Sequence, residues 1–332
     1  MSDLDFSMLD KKLGEIAENG SDLIPIVELK PGQIDSRYLR SSYSSSQLLH
    51  ACPRKFQLKC LQAKRADDAS TSVTFAYGHA VGDGVAELMI TRNLSAAIWK
   101  LFLSWDVEFL AENEKQKKSI AHAVLAIQMF HSSMQDGYLS EYEVAAYNNK
   151  PAAELSFRIT IPGKYGAHTY RGYIDLVLRN IISGELGVLE NKTSSGSWVN
   201  HYQYKNSAQA LGYGVVLDEI DANNSSYEVM YNVYMTKLFR WEEFNFHKSF
   251  SQKAMWLRDI IYDVNQVETY VANEGNYGIW PLRGESCTNF GRVCEYMDIC
   301  QLDTKNLMSP LRVTDLEETK EYDVELDIGD LI

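Results

Sequence analysis

Hydrophobic positions change their period part-way along the chain. In the first third they recur three and four apart, the spacing that lines one face of a helix. Ser42 to Ser46 supply N-caps for a short helix, QLLHAC, and Pro53 suits the first turn of a second, RKFQLKCLQ, where its missing N–H would be unpaired anyway. Residues 75–111 and 115–136 read as two further helices, the second (KSIAHAVLAIQMF) amphipathic. From residue 152 the period shortens to two, in AELSFRITI, HTYRGYIDLVLRN and ELGVLENKT, with a Ser-Gly turn at 183–184. A helix at about 203–219, the strands YEVMYNVYMT and LFRWEEFNF around a turn near Lys237, and a long helix at about 248–271 complete the pattern. Helices, a three-strand meander, a helix and then more strands predict an α/β fold with a mixed central sheet.

Composition bounds the chemistry. At 332 residues, 45% hydrophobic and 23% charged, the chain has the make-up of a soluble globular protein with room for a sizeable core. No apolar run approaches a membrane span, and MSDLDFSMLDKK lacks the apolar stretch of a signal peptide, so a cytoplasmic protein is expected, in a host cell's cytoplasm if phage-encoded. The net charge of −13 is uneven. Residues 1–24 hold six acids against two lysines and residues 315–332 eight against one, which leaves −2 for the body between them. A near-neutral body can carry a locally basic groove, so charge does not exclude nucleic acid.

One stretch breaks the strand pattern in an informative way. In GVLENKTSS (187–195) three residues suited to a sheet interior precede Glu190 and Lys192, which alternation places on one face. Asp175, in RGYIDLVL, precedes Glu190 by fifteen residues across a turn, so adjacent strands would bring the two carboxylates together. With the Asn191 carbonyl they would form a hard oxygen site suited to Mg²⁺ or Mn²⁺, and Lys192 could orient a water or offset charge on a phosphorane-like transition state. An ExK pair alone is usually a solvated strand end; the ordered set carries the reading.

That set resembles a known family. Gly172-x-x-Asp175, Glu190-x-Lys192 and Gln209-x-x-x-Tyr213 look like the RecB-like branch of the PD-(D/E)xK nucleases, whose fold is restriction-endonuclease-like. SSSQLLHACPRKFQL and the C-terminal cysteines look like its iron–sulfur members, the AddB-type nucleases and CRISPR-associated iron–sulfur exonucleases. The resemblance spans roughly 42–302. It implies a metal-dependent deoxyribonuclease, an exonuclease of recombination, repair or phage DNA processing, acting on single strands or duplex ends. Asp175 and Glu190 would be metal ligands, Lys192 the catalytic lysine, and Gln209 and Tyr213 the DNA side of the cleft. Glu154 resembles the acid that opens the family's meander. The family's Gly-x-x-x-His reads Gly78-x-x-x-Gly82 here, with His79 or Asp83 as substitutes. A catalytically silent DNA- or protein-binding module on the same scaffold is the alternative.

Cys287-x6-Cys294-x5-Cys300 has ligand-like spacing without a close CxxC pair. In the iron–sulfur relatives one N-terminal and three C-terminal thiolates hold a [4Fe–4S] cluster, which implies Cys52 as the fourth ligand. A four-thiolate Zn²⁺ site and unliganded thiols are the competing readings. Cys60, in LKCLQ, reads as a core cysteine.

The implied organisation is a loosely attached segment 1–35, a nuclease domain 36–312 and an acidic tail 313–332. Within the domain, a helical part covers about 42–140, a catalytic core about 150–272 and a cluster-binding segment 280–302. Arg54 and Lys55, beside a cluster ligand, are candidate DNA contacts, with His79, Arg158 and Arg171 as possible additions. The basic run 114–119 reads as a solvated face. The tail sets Tyr322, Val324, Leu326 and Ile328 against acids, which suits a solubilising tail, a late edge strand or a partner-binding peptide, in that order.

Overall fold

A computed structural model of the chain describes residues 23–24, 33–60, 73–106, 117–221, 226–289, 292–302, 311–312 and 321–331. The expected segment 1–35, part of the basic run 114–119 and residues 313–320 of the tail therefore lie largely outside the described residues. Ser42 caps helix α1 (Tyr43–Ala51) through a reciprocal box with Ser45, and α2 (Pro53–Cys60) begins at the proline. The single helix expected over 75–111 is two, α3 (Val73–Thr91) and α4 (Leu94–Ser104). Between them Arg92 takes a left-handed backbone (φ 55) and the Asn93 side chain accepts from the Ala96 N–H, so the chain stops one helix and caps the next. Helix α5 (Ile120–Gln135) starts at Ser119, which accepts from the His122 N–H. Lys118 is buried at 3% exposed, so this end of the basic run is not a solvated face.

The strands are β1 (Ala153–Ile161), β2 (His168–Asn180), β3 (Leu186–Ser194), β4 (Tyr227–Met235), β5 (Arg240–Lys248) and β6 (Val324–Asp327). They lie in the order β5-β4-β3-β2-β1-β6, and the short strand Tyr142–Val144 also pairs with β2. β2 with β3 and β4 with β5 are antiparallel; β3 with β4 and β1 with β6 are parallel, which makes the sheet mixed. The helix expected over 203–219 is broken into α6 (Tyr202–Lys205) and α7 (Ala208–Ile220), and α8 (Phe250–Glu274) is the long helix.

The chain divides into two compact units. One comprises Ala69–Thr160, Tyr170–Tyr262 and Tyr322–Ile332, and holds most of the sheet. On one face of that sheet Leu176, Leu178, Leu189 and Met230 join a core with Tyr77, Val81, Leu88, Ala126 and Phe130 from α3 and α5. Gly84 lets those helices approach, because a Cβ there would come 2.8 Å from the Ile127 side chain. The other sheet face meets α7, where the Tyr227 hydroxyl donates to the Ala210 carbonyl at 2.6 Å.

The acidic C-terminal residues supply an edge strand to this unit. β6 pairs with β1 from Val324↔Phe157 to Asp327↔Thr160, and Val324 and Ile328 are each 1% exposed. Asp323 accepts from the Ser156 N–H at 2.9 Å and its hydroxyl at 2.6 Å. Arg158 pairs with Glu325 at 2.7 Å and its guanidinium lies 5.5 Å from the Tyr322 ring centroid, while Arg171 donates to the Tyr322 hydroxyl at 3.4 Å. Of the three readings of this tail, residues 324–327 take the second.

The other unit comprises Met1–Asp68, Ile161–Thr169 and Asp263–Glu321. Its core is aromatic: Trp280 stacks on Tyr38 at 4.9 Å and on Phe56 at 6.2 Å, with Val267 and Val271 alongside. Among the described residues no helix is long and apolar enough to cross a membrane.

Candidate active site

Residues 186–190 of β3 are buried, and the strand becomes half-buried from Asn191 onward. Glu190 sits at that transition, on the face opposite Leu189. The ladder pair Leu176↔Leu189 puts Asp175 in the neighbouring position on β2, and the Asn191 N–H donates to Asp175 Oδ2 at 2.9 Å. A close bend of β2 against β1 is needed upstream, and Gly172 permits it: a Cβ there would fall 2.7 Å from the Phe157 ring.

Glu190 is 1% exposed. Its Oε1 accepts from Lys192 Nζ, while its Oε2 is buried without a partner. Lys192 Nζ also lies 3.4 Å from Gln209 Oε1, and Gln209 Nε2 donates to the Tyr213 hydroxyl at 2.5 Å. Gln209 and Tyr213 share one face of α7, as a spacing of four requires. Glu190, Lys192, Gln209 and Tyr213 thus form one hydrogen-bonded chain, and Asp175, held by the Asn191 N–H, acts electrostatically on it.

Its electrostatics follow from burial. Burial pushes the Asp175 carboxyl well above the usual range and the Glu190 carboxylate pushes it further, against Lys192 and the Asn191 amide. For Lys192 burial disfavours the ammonium, but Glu190 and Asp175 outweigh it, and the group is held charged more firmly than a free lysine. Burial and the two carboxylates also keep the Tyr213 hydroxyl protonated. Glu154, on the exposed start of β1 and in a left-handed conformation (φ 48), has its carboxyl raised by desolvation and then by Asp83 and Glu190.

His79 is 66% exposed, with Nε2 3.8 Å from Asp83 Oδ2. Asp83 accepts from the Ser104 hydroxyl and is 12% exposed. Both act electrostatically on Glu154. Among the described residues no group of three or more His, Cys, Asp or Glu side chains is gathered so that it could hold a metal ion. Asp175 and Glu190 fit such an ion as a pair: a half-buried and a buried carboxylate repel one another, one Glu190 oxygen has no hydrogen-bond donor, and a hard cation that keeps several waters needs few protein ligands.

In the second unit, Arg54 does not face solvent as expected for a DNA contact. It is 1% exposed, and its guanidinium donates to the Cys300 carbonyl at 2.8 Å, the Gly278 carbonyl at 3.1 Å, the Leu302 carbonyl and Gln57 Oε1. Five donors in a fixed fork suit that clamp. Lys55 is half-buried and pairs with Glu295 at 3.1 Å. Cys52 is buried, Cys287, Cys294 and Cys300 are half-buried, and all are free thiols. Burial raises the Cys300 thiol, Arg54 lowers it, and Cys287, Cys294 and Cys52 raise it again, so the four sulfurs lie within electrostatic range of one another. Cys60 packs against the aromatic core and burial pushes it up to about 12, as a structural cysteine.

With this geometry in hand, comparison with known proteins decides the family. A sequence model of the PD-(D/E)XK nuclease superfamily matches residues 40–301. The chain belongs to the PD-(D/E)XK nuclease superfamily. Members of this superfamily generally use divalent metals such as Mg²⁺, and the mixed sheet flanked by helices is consistent with their restriction-endonuclease-like fold. Among solved structures, a protein assigned provisionally as an exonuclease from Eubacterium rectale is similar at 13% identity and a TM-score of 0.45, over 89% of this chain and 100% of that one. SSO0001 is similar at 14% identity and a TM-score of 0.27, over 68% of this chain and 86% of that one. No curated protein matches the chain.

Sequence patterning does not single out one further residue of this cluster's face. Tyr231 stands beside Glu190 in the parallel β3–β4 register, is 1% exposed, and acts on Lys192. Its signal was the alternation of YEVMYNVYM with the β3 pattern, which cannot be used without the register.

Proposed function

We propose that this nuclease is a Mg²⁺- or Mn²⁺-dependent deoxyribonuclease of the RecB-like branch that removes nucleotides from DNA ends. The observation that carries the reading is the Asp175/Glu190 pair, with a buried carboxylate oxygen left unpaired beside a charged lysine. Asp175, Glu190 and the Asn191 carbonyl would hold the metal, with His79 or Asp83 as further ligands. When bound, the metal supplies a Lewis acid that makes water a nucleophile at neutral pH and offsets charge on the phosphoryl oxygens. Lys192 holds its proton and presents an ammonium to the attacked phosphate, where charge builds in the transition state. Gln209 and Tyr213 brace the lysine and the Glu190 carboxylate from α7; Tyr213 is 2% exposed and acts from within, so of the two only the half-buried Gln209 would line the DNA side of the cleft. Lys55, half-buried and paired with Glu295, is kept as a candidate phosphate contact, with Arg54 bracing the same helix from within.

Cys52, Cys287, Cys294 and Cys300 are assigned to a [4Fe–4S] cluster, with zinc as the other metal that four thiolates would take. The support is the mutual influence of the four thiols and the tie from Arg54 to the Cys300 carbonyl. The nuclease domain is taken as 36–312, in DNA recombination, repair or phage DNA processing.

End-labelled single- and double-stranded DNA, incubated with Mg²⁺ or Mn²⁺ and with EDTA, tests the activity. Cleavage from ends that EDTA abolishes is expected, and an Asp175→Ala protein that cleaves normally would refute the site. Absorbance near ~400 nm with stoichiometric iron and sulfide is expected of the purified protein; a colourless protein with one zinc replaces the cluster by zinc.

A further inference from the structure

The catalytic face does not end at Lys192. Across the sheet, Tyr231 stands beside Glu190 and Phe244 of β5 stands opposite Tyr231, so a row runs from the carboxylates into aromatic rings. Helix α6 and the residue before it cover that row. The Tyr204 ring lies 4.7 Å from Tyr231 and 6.3 Å from Phe244, and His201 stacks on Phe244 at 5.9 Å with an interplanar angle of 16°. His201 in turn lies 4.2 Å from Tyr202, whose side chain is 66% exposed. The loop that leads there from Lys192 carries Trp198, 69% exposed. That loop folds tightly onto the end of β3: a Cβ on Gly196 would lie 3.2 Å from the Trp198 carbonyl and 3.3 Å from Ser194 Oγ.

His201 and Tyr202 touch, Trp198 lies three residues before His201 in the chain, and such a group of exposed rings beside the proposed site points to a ligand with flat surfaces. The segment that carries them is free of acids, although Glu242 and Glu243 precede Phe244 on β5. Residues 191–217 contain no Asp or Glu, in a chain with 45 acids, while they contain Lys192, His201 and Lys205. Aromatic rings beside a phosphate-attracting backbone are what unpaired nucleotides recognise: the backbone meets the charge and each splayed base finds a π-face. A duplex keeps its bases stacked on one another and offers no such faces.

We propose that Trp198, His201 and Tyr202 form a base-stacking platform that seats the unpaired nucleotides of a single-stranded DNA end and delivers the adjoining phosphodiester to Glu190 and Lys192. The proposal rests on the nuclease reading for its purpose, but its binding chemistry is tested without it. The full-length protein in EDTA is titrated with a fluorescently labelled oligothymidylate and with an abasic oligonucleotide of the same length. The wild type is expected to bind the base-bearing strand about tenfold or more tighter, since stacking one base on one ring gives a factor of that order. Tyr202→Ala and Trp198→Ala should each shrink this ratio, the double variant should bring it close to one, and Tyr202→Phe should keep it. Quenching of protein fluorescence on binding should diminish in Trp198→Phe. Equal binding of the two strands by the wild type, or a ratio that survives in the double variant, would overturn the platform. Cleavage is then read with Mg²⁺ added. A preserved base preference without cleavage refutes the nuclease reading and leaves the platform, whereas cleavage without base preference does the reverse. Both rings are exposed, so unchanged melting of the single variants confirms that a lost ratio is a lost surface.

Discussion

Strands β2, β3 and β4 carry two surfaces built from alternate residues of the same segments. Leu176, Leu189 and Met230 face α3 and α5 and close a dry core. One residue away on each strand, Asp175, Glu190 and Tyr231 face the other way, with an unpaired carboxylate oxygen and a short chain of charge-bearing contacts. The first surface lowers the free energy of the fold. The second raises it, since a buried and a half-buried carboxylate repel, a cost that the proposed chemistry would explain. Strand register makes the two inseparable: a slip of one residue would exchange them.

Substitutions on each surface should therefore fail in opposite ways. The largest effect is expected from Lys192→Ala, which should lower the cleavage rate by about 10²–10³-fold, as removal of one preorganised charge at a transition state does, with a smaller loss of stability because Glu190 loses its counter-charge. Leu178→Ala, on the helical surface, should lower stability by about 2–5 kcal/mol in denaturant titration, with the rate per folded molecule kept. An inactive Leu178→Ala protein of full stability would mean the two surfaces are not separable in this way. Asp175→Asn sharpens the contrast. It keeps an acceptor for the Asn191 N–H and removes one of two repelling charges, so in EDTA the variant should melt a few degrees higher, the shift that about 1 kcal/mol produces, while cleavage is lost.

A buried pair of a histidine and a carboxylate gives the reference. In the other unit His168 is 3% exposed, with Nε2 3.4 Å from Glu268 Oε1. Burial lowers its pKa, and Glu268 opposes that only in part. The unfolded chain then binds the proton first as pH falls, so the contribution of His168 to stability is complete above an unfolded value of about 6.5 and is lost as pH falls through the folded one. Denaturant midpoints at pH 7 and pH 5 should differ more for the wild type than for His168→Gln. The smallest effect is expected from Asp323→Ala, which removes the bonds to Ser156 at the sheet edge and should cost about 1 kcal/mol, with no change in cleavage.

How far the sequence could be read follows from these surfaces. The meander and the Asp175/Glu190/Lys192 set were legible because period-two alternation fixes which residues share a face. Gln209 and Tyr213 were legible through the family resemblance; their spacing of four adds only that they share a helical face. The break at Arg92–Asn93 was not, since a left-handed residue within an apolar periodicity leaves the pattern intact on both sides. Arg54 looked like a surface cation; its burial depends on carbonyls more than 200 residues away, at Gly278 and Cys300. Tyr231 and the rings of α6 depend on a parallel register that local patterning does not encode.

The C-terminal strand carries a kinetic consequence. Ser156 and Asp323 are 167 residues apart, and the β1–β6 ladder joins residues equally distant. The α3–α4 pair and the β2–β3 hairpin close short loops, while this edge must wait for a long search. Refolding protein should acquire amide protection in β2 and β3 first and along β6 last. Until then β1 presents open hydrogen-bonding groups, and the transient species is one that neighbouring chains could zip onto. The acids that punctuate β6, together with Arg158 on β1, make that edge selective for its own strand over an apolar stranger.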